Sequence, residues 1–576
     1  MLRFNRFAVI ATGLPLKRDL IFIALICAAA VTVIAFWHSP VLLPSPDGDA
    51  YLMLGRSLAE GNGYRDIYLP DKPISTNYPL GWPAILSLVY RAWEYADFPY
   101  QMMIWLLFVL MGIAVYLFGR QLLGPWGSFC TAFCIIAHAV MAEFTQMPLT
   151  EIPFALFLYG GLLLWYAGER NNSFPSCCIA LACFVFTSFL KFYGELVLPA
   201  VFFSLLIKRK WKLLAVFTLL VALKIAVQFG MQGTEWIHRG KAMRQPLVPD
   251  VVAQNNVSAA ASGLFSLVLS NARRMLLTLI PHNVFPSLYH LHAMNKLKAL
   301  ACLFFSLWIG AGMLARMVKK DVLAPLVCAA ILAGLLTRFD GPYIFRYYAP
   351  ASPFFVLFGI VGVREALGFT RRHARAVRIA AIALDAISMF FIFDKTLFLA
   401  SAHTAYAHSY DRAGLLQFER FCDCIAKTAP ADALLMSPAA ATVFIRTNRH
   451  TAWLPYHEAW EMNWNEGKLD SWVAAARDKA SYIVLPAGWT IATGFPIADF
   501  EKHLAEKYPG PVRRLQYGLR SPNYIYSLDR YPSDTSFCTK MSFCLQNPPA
   551  DKRNAVPPAS VSCRECGDSA YYNPNP

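Results

Sequence analysis

Charge is scarce in this sequence. Only 15% of its 576 residues are Asp, Glu, Lys or Arg, against 57% hydrophobic residues, and mean hydropathy is +0.41. So little charge cannot cover a soluble domain, and the composition indicates a polytopic membrane protein. The charge that exists leans basic: 52 Lys and Arg stand against 36 Asp and Glu, a net +16. In a membrane protein such an excess first serves to keep loops on the cytoplasmic side. No clustered basic face with a readout motif accompanies it, so nucleic acid is not a partner. A phosphate-cradling Gly-rich loop is also missing, as are the internal repeats of many transporters. The first apolar segment lacks a cleavage pattern and is read as an anchor. Several of the 14 cysteines, among them Cys177, Cys178 and Cys183, sit in apolar runs and read as small buried hydrophobes.

What is there is a series of apolar stretches. Spans are expected near 19–38, 101–119, 125–142, 152–168, 174–190, 194–207, 213–230, 297–315, 322–337, 349–363 and 379–398, each approaching the ~20 residues that cross a bilayer. A kink is expected at Met147-Pro148. With the N-terminus inside, the cytoplasmic connections hold Arg120, Arg170, Lys208 to Lys212, Arg316 to Lys320, and Arg371 to Arg378. Positive residues then lie inside at every turn. The fold class expected is an α-helical polytopic membrane protein of about 11 transmembrane helices with a C-terminal extracytoplasmic α/β domain. Residues 1–398 form the membrane module, with a first outer loop at 39–100 and a long outer loop at 231–296. The latter reads as an interfacial helix hairpin, with a re-entrant or twelfth span as the alternative. Residues 399–530 read as the α/β domain. There Ala433–Met436, Ser481–Leu485 and Tyr524–Leu528 read as strands, and Gly414–Lys427 and Ser471–Lys479 as helices. Residues 531–576 are a Pro-rich, Cys-containing tail, expected to be loosely ordered and dispensable for chemistry.

The chemistry collects on the outer face. Asp47 and Asp49 open an amphipathic run in which Tyr51, Leu54 and Leu58 recur at helical spacing, with Arg56 off that stripe. Paired acids beside a membrane surface suggest a function; the competing reading is that one of them merely caps the helix. Glu143 and Glu151 lie at matching depth. A carboxylate-lined cleft there deprotonates a hydroxyl or amine acceptor, or holds a divalent cation on the two oxygens-bearing side chains of Asp47-Gly48-Asp49. Lys72 and Arg346 are outer-face cations, and Arg346 with Tyr347 suits a phosphate through charge-assisted hydrogen bonds. The competing reading is an Arg–Asp340 pair within an interfacial aromatic belt. Lys191 and Glu195, four apart, read as a pair with each other.

In these residues the chain resembles the GT-C glycosyltransferases that use polyprenyl-phosphate-linked sugars, especially the protein O-mannosyltransferases and the lipid A aminoarabinose transferases. Asp47-Gly48-Asp49-Ala50-Tyr51 is similar to their Asp-Glu-x-x-Tyr motif, with Gly48 where Glu is common. Tyr78-Pro79-Leu80-Gly81-Trp82-Pro83 resembles their Pro-Pro-Leu-Gly segment, Thr150-Glu151 their Thr-Glu, and Arg346-Tyr347-Tyr348-Ala349-Pro350 their Arg-Tyr-x-x-Pro. Ala50 and Asn77 stand where aminoarabinose enzymes carry Arg and Lys, so the lipid A substrate is not carried over.

The resemblance implies an inverting transfer of a sugar from a polyprenyl-phosphate donor to an extracytoplasmic acceptor, whether glycan, lipid or protein. It makes Asp47, Asp49 and Glu151 the catalytic candidates, with Asp47 as the base. Tyr51, Arg56, Lys72, Arg346 and Tyr347 become the substrate-binding candidates. The charge pattern, with eleven spans, puts the site and the C-terminal domain on the outer face, expected to be the periplasmic side of an inner membrane. Metal use is not general among such enzymes, and no cofactor is assigned beyond a candidate divalent cation at Asp47 and Asp49. The rival class is a polytopic transporter or flippase, and a sensor with an outer binding domain is a further alternative. In the tail, Cys538, Cys544, Cys563 and Cys566 suit disulfides in an oxidising compartment, ahead of a zinc site or unpaired thiols.

Overall fold

The computed structural model describes residues 16–233 apart from 40, 44, 70 and 95. It also describes 268–285, 296–336, 344–369, 391–400, 412–453 apart from 431, 438 and 439, the segments 482–485, 512–517, 523–528 and 561–565, and a few single residues. The chain divides into two compact units. One comprises Met1–Leu42 with Thr76–Ala405, and the other Leu43–Ser75 with Tyr406–Pro576.

The larger unit is helical and polytopic. Among the described residues five helices are long and apolar enough to cross a membrane: Lys17–Trp37, Asp97–Arg120, Glu151–Arg170, Trp211–Gln232 and Ala299–Val318. A sixth span arises if the bent pair Pro125–Ile136 and Ala139–Gln146 is taken as one, its halves meeting at 60°. Phe174–Leu190, Phe192–Ile207 and Leu323–Leu336 are shorter apolar helices. Exposed side chains on these helices are apolar: Leu219 is 70% exposed and Leu223 58%. Water would penalise such surface, and lipid does not. The chain leaves the helix at Met147-Pro148 as expected, and the preceding span bends once more at Ala137 and His138. Part of the last expected span, 379–390, lies outside the described residues. So do 234–265 and 286–295 of the long outer loop; between them a π-helical turn at Met275–Leu279 runs into Ile280–Val284.

Several charged side chains of this unit pair near helix ends. Asp19, 2% exposed, accepts from Tyr116 Oη at 2.6 Å and Arg120 Nε at 2.7 Å. Lys208 and Lys210 both reach Glu169 at 2.7 Å, and Lys319 reaches Glu365 at 2.6 Å.

The smaller unit joins the Pro46–Ala59 helix to a mixed six-stranded sheet. Its strands are β1 (Leu435–Ser437), β2 (Thr451–Trp453), β3 (Tyr482–Leu485), β4 (Val512–Tyr517), β5 (Asn523–Leu528) and β6 (Val561–Glu565), in the order β2-β1-β3-β5-β4-β6. β1 runs parallel to β2 and β3, while β3–β5, β5–β4 and β4–β6 are antiparallel. The Arg412–Thr428 helix presents Phe418, Phe421, Cys422 and Ile425 to this core, the i, i+3, i+4, i+7 stripe of an amphipathic helix. The expected helix at 471–479 lies outside the described residues.

The tail departs from expectation. β6 pairs with β4 from Arg513↔Glu565 to Tyr517↔Val561, and Leu545 is buried in the core at 2% exposure. Arg420 also donates to the Leu545 carbonyl. Composition suggested looseness, but among the described tail residues one strand covers β4, which would otherwise be an open edge, and one leucine enters the core. Cys424 is disulfide-bonded, a cysteine absent from the expected set, and its partner lies outside the residues whose side chains are described.

Candidate functional site

Local packing in the helical unit begins with the Pro-Leu-Gly segment. A Cβ on Gly81 would stand 2.8 Å from the Phe189 carbonyl oxygen, so only glycine lets the Gly81–Trp93 helix close on the end of the Phe174–Leu190 helix. Trp82, fully buried, donates its indole N–H to the Pro148 carbonyl at 2.7 Å. That fixes the turn from which Thr150 and Glu151 start the next helix. Gly194 repeats the device, since a Cβ there would lie 2.2 Å from the Thr187 carbonyl oxygen. The Phe192–Leu196 turn is thereby pressed against the helix end that carries Lys191.

These packings bring three charges together. Glu151 is fully buried, and its Oε1 accepts from both Lys191 Nζ and Arg346 Nε. The Lys191 ammonium lies 5.1 Å from the Tyr193 ring and 5.3 Å from the Tyr347 ring. The Arg346 guanidinium lies 5.7 Å from Phe144 and 5.9 Å from Tyr347. Cations against aromatic faces keep their charge at little desolvation cost. Glu143 also acts electrostatically on Arg346. Two buried oxygens accept or donate nothing here, Glu151 Oε2 and Thr150 Oγ1.

The Lys191–Glu195 pairing expected from spacing is not formed. Lys191 turns to Glu151, and Glu195 pairs with Lys224 at 2.9 Å. Lys191 and Tyr193 thus join the candidate site, although the sequence pointed to neither. Lys191 was visible as an outer-face lysine, but nothing near it in sequence names a partner 40 residues away.

In the smaller unit, Ser45 rather than either aspartate caps the Pro46–Ala59 helix: its Oγ accepts from Gly48 N at 3.3 Å. Asp49 answers by accepting from Ser45 N at 3.1 Å, a capping-box exchange displaced by one residue. The same Asp49 oxygen accepts the Thr442 hydroxyl, and Arg446 Nη1 lies 3.6 Å from the other. Burial pushes the Asp49 carboxyl above its ordinary pKa, against the Arg446 charge and the hydrogen bonds from Thr442 and Ser45. Asp47, at the second helical position, is half-buried. Tyr51 is 5% exposed within the helix packing. Arg56 pairs with Glu60 at 2.6 Å and lies 5.4 Å from the Phe444 ring. Lys72 is exposed on a positive-φ turn, and its carbonyl accepts from Arg65 at 2.9 Å.

The candidate residues therefore fall into two sets, Glu151, Arg346 and Tyr347 in one unit, and Asp47, Asp49, Tyr51, Arg56 and Lys72 in the other. The Asp47–Asp49 pair does not suit a divalent cation as it stands. Asp49 already spends one oxygen on Thr442 and Ser45 and turns the other to Arg446. Among the described residues no three His, Cys, Asp or Glu side chains group as a metal site.

No protein-family model matches the sequence, and no curated protein matches it. Solved structures do. The Archaeoglobus fulgidus oligosaccharyltransferase tethered with an acceptor peptide containing the NVT sequon is similar at TM-score 0.53 and 13% identity, over 90% of this chain and 75% of that one. AglB from Archaeoglobus fulgidus, in complex with an inhibitory peptide and a dolichol-phosphate, is similar at TM-score 0.50 and 13% identity, over 89% and 74%. ArnT from Cupriavidus metallidurans in the apo state gives TM-score 0.48 and 12% identity over 88% and 97%. The oligosaccharyltransferase likeness shows the fold, which is the GT-C fold that the order of the Asp47, Gly81, Glu151 and Arg346 motifs implies.

Proposed function

We propose that this protein is a membrane glycosyltransferase that moves a sugar from a polyprenyl-phosphate donor to an extracytoplasmic acceptor with inversion. The observation that carries the reading is Glu151, a buried carboxylate gathering Lys191 and Arg346 on one oxygen while its other oxygen stays open. A carboxylate that holds two cations is a poor base. It is a counter-ion that pre-places two donors for an anion, as a departing lipid phosphate requires. A fold neighbour holds a dolichol-phosphate, the class of lipid phosphate that departs in this reading.

Asp47 is the base in this reading. It takes the proton of the acceptor hydroxyl or amine as that atom attacks the anomeric carbon. The bond from that carbon to the phosphate oxygen breaks, and its electron pair leaves with the phosphate. Arg346 and Lys191 hold the phosphate charge, Tyr347 orders both cations, and Glu151 Oε2 accepts from a substrate hydroxyl. No step is routed through a metal.

The membrane module has about eleven spans in this reading, and the second unit faces an oxidising compartment, the periplasm of an inner-membrane protein. Two observations support the sidedness. Charges expected inside pair with one another, Asp19 with Arg120 and Glu169 with Lys208 and Lys210, and those expected outside do likewise, Glu151 with Lys191 and Arg346. A disulfide at Cys424 is stable where thiols are oxidised.

The test is Asp47→Asn. Proton-transfer catalysis contributes ~10²–10⁴-fold, so transfer from a polyprenyl-phosphate sugar falls by at least that order while membrane abundance is unchanged. Full activity in the variant removes Asp47 from the mechanism.

A further inference from the structure

The helix that carries Asp47 is short of support of its own. Pro46–Ala59 has 14 residues, a length at which an isolated helix is marginal in water even with good helix formers. Its caps fix where it begins, not how it is rotated. Rotation matters because Asp47 and Asp49 are two residues apart, hence about 200° around the axis at 3.6 residues per turn. Whatever takes hold of Asp49 sets the direction in which Asp47 faces.

Within the smaller unit, Asp49 is held by the Ala440–Thr447 helix. Thr442 donates its hydroxyl to Asp49 Oδ2, and the Arg446 guanidinium stands 3.6 Å from Oδ1. Arg446 is itself fixed, because its Nε pairs with Glu419 of the Arg412–Thr428 helix and its guanidinium lies 5.9 Å from the Phe418 ring. Two more contacts run alongside: Arg56 over Phe444 at 5.4 Å, and Thr451 N donating to the Tyr68 carbonyl at 2.9 Å. Asp49 and Thr442 are buried at 1% and 3% exposure. A carboxylate taken so far out of water must have its partners in place, so the helix cannot turn about its axis without losing them. The outcome is visible in the exposures, with Asp49 sealed inside and Asp47 half-buried on the other side of the helix.

We propose that Thr442 and Arg446 are positioning residues for Asp47, acting through Asp49 to hold the rotation of the Pro46–Ala59 helix. The inference rests on the reading of Asp47 as the base. It gives the C-terminal domain a share in the chemistry without placing any of its side chains on the substrate. It also gives Asp49 a role distinct from that of Asp47, although the two stand in one motif.

Thr442→Val tests this in the full-length protein, since it keeps the side-chain shape and removes the donor. Two measurements are made on the same preparation. Amide hydrogen exchange over residues 46–59 reads the latch itself and needs no substrate. Transfer kinetics with a polyprenyl-phosphate sugar read the positioning.

The expected result is faster exchange confined to 46–59 and neighbouring loop residues, with kcat reduced about tenfold to a hundredfold, the scale of a small misplacement of a reacting group. Donor KM stays unchanged, and Thr442→Ser restores both readouts. Arg446→Lys keeps the charge, loses the planar fork, and shifts both in the same direction by less; it carries the test should Thr442→Val fail to accumulate. Unchanged exchange over 46–59 overturns the latch. Faster exchange with wild-type kcat, or a raised KM with unchanged kcat, overturns the positioning role. A wild-type protein that transfers from no such donor overturns the glycosyltransferase reading and the positioning role with it, while the exchange measurement still decides whether Thr442 and Arg446 hold the helix.

Discussion

Two buried carboxylates in this protein solve the same physical problem in different ways. Glu151 in the helical unit is fully buried and gathers two cations on one oxygen. Asp49 in the smaller unit is 1% exposed and has a hydroxyl, a backbone N–H and one cation at 3.6 Å. The first arrangement demands a charge at that position, and removing it strands two cations beside one another. The second needs mainly an acceptor for the Thr442 and Ser45 donors, and burial raises the Asp49 pKa against the Arg446 charge. What Glu151 supplies to its neighbours is charge, and what Asp49 supplies is an acceptor of the right shape.

That contrast is open to direct test. Glu151→Gln removes the carboxylate that Lys191 and Arg346 share, and breaking a buried pair costs about 3–5 kcal/mol. Asp49→Asn keeps an oxygen for Thr442 and removes a charge that burial disfavours, so it changes stability by no more than about 1 kcal/mol. Unfolding of both variants in detergent, compared with wild type, shows whether the gap exists. Equal losses would erase the distinction.

A smaller effect separates binding from scaffolding at the cation pair. Arg346→Lys retains charge and loses the bidentate fork. Donor KM rises about tenfold, the worth of one hydrogen bond to a charged group, with little change in kcat. An unchanged dependence on donor concentration would leave Arg346 as a partner of Glu151 only.

The smallest effect concerns a carboxylate that neither arrangement uses. Burial lifts Asp66 to about 6, against a hydrogen bond with Ser75. The folded state therefore keeps a proton that the unfolded chain releases near its ordinary value of 3.8. This stabilising contribution is fully present below the unfolded pKa and is lost as pH rises through about 6. Asp66→Asn flattens that part of the profile, measured as unfolding temperature between about pH 4 and about pH 7. A wild-type slope in the variant assigns the proton to another group.

Much of the membrane module was legible because its signals are local. Apolar runs at 19–38, 101–119 and 213–230 are helices in the structure, since length and apolarity decide a span by themselves. The strands at Ser481–Leu485 and Tyr524–Leu528 were legible for a similar reason. The tail strand β6 was not, because its pairing partner β4 lies some fifty residues upstream and composition argued against order. The motif residues were legible as a set, and their duties were not. Gly81 and Trp82 look like part of a chemical motif but act by packing, one through a missing Cβ and the other through an indole hydrogen bond.

The sequence by itself determined that this chain is a multi-pass membrane protein, where several of its apolar helices lie, and which carboxylates and cations stand out beside them, for hydropathy and charge placement are properties of short windows. Only the tertiary structure decided which of those charges meet. Lys191 had an obvious partner four residues away in Glu195 and took Glu151 instead, while Asp49 found Thr442 and Arg446 nearly four hundred residues on. A buried charge is settled by whatever partners the packed helices bring within reach, and that reach depends on helix rotation and close approach, which sequence spacing does not encode.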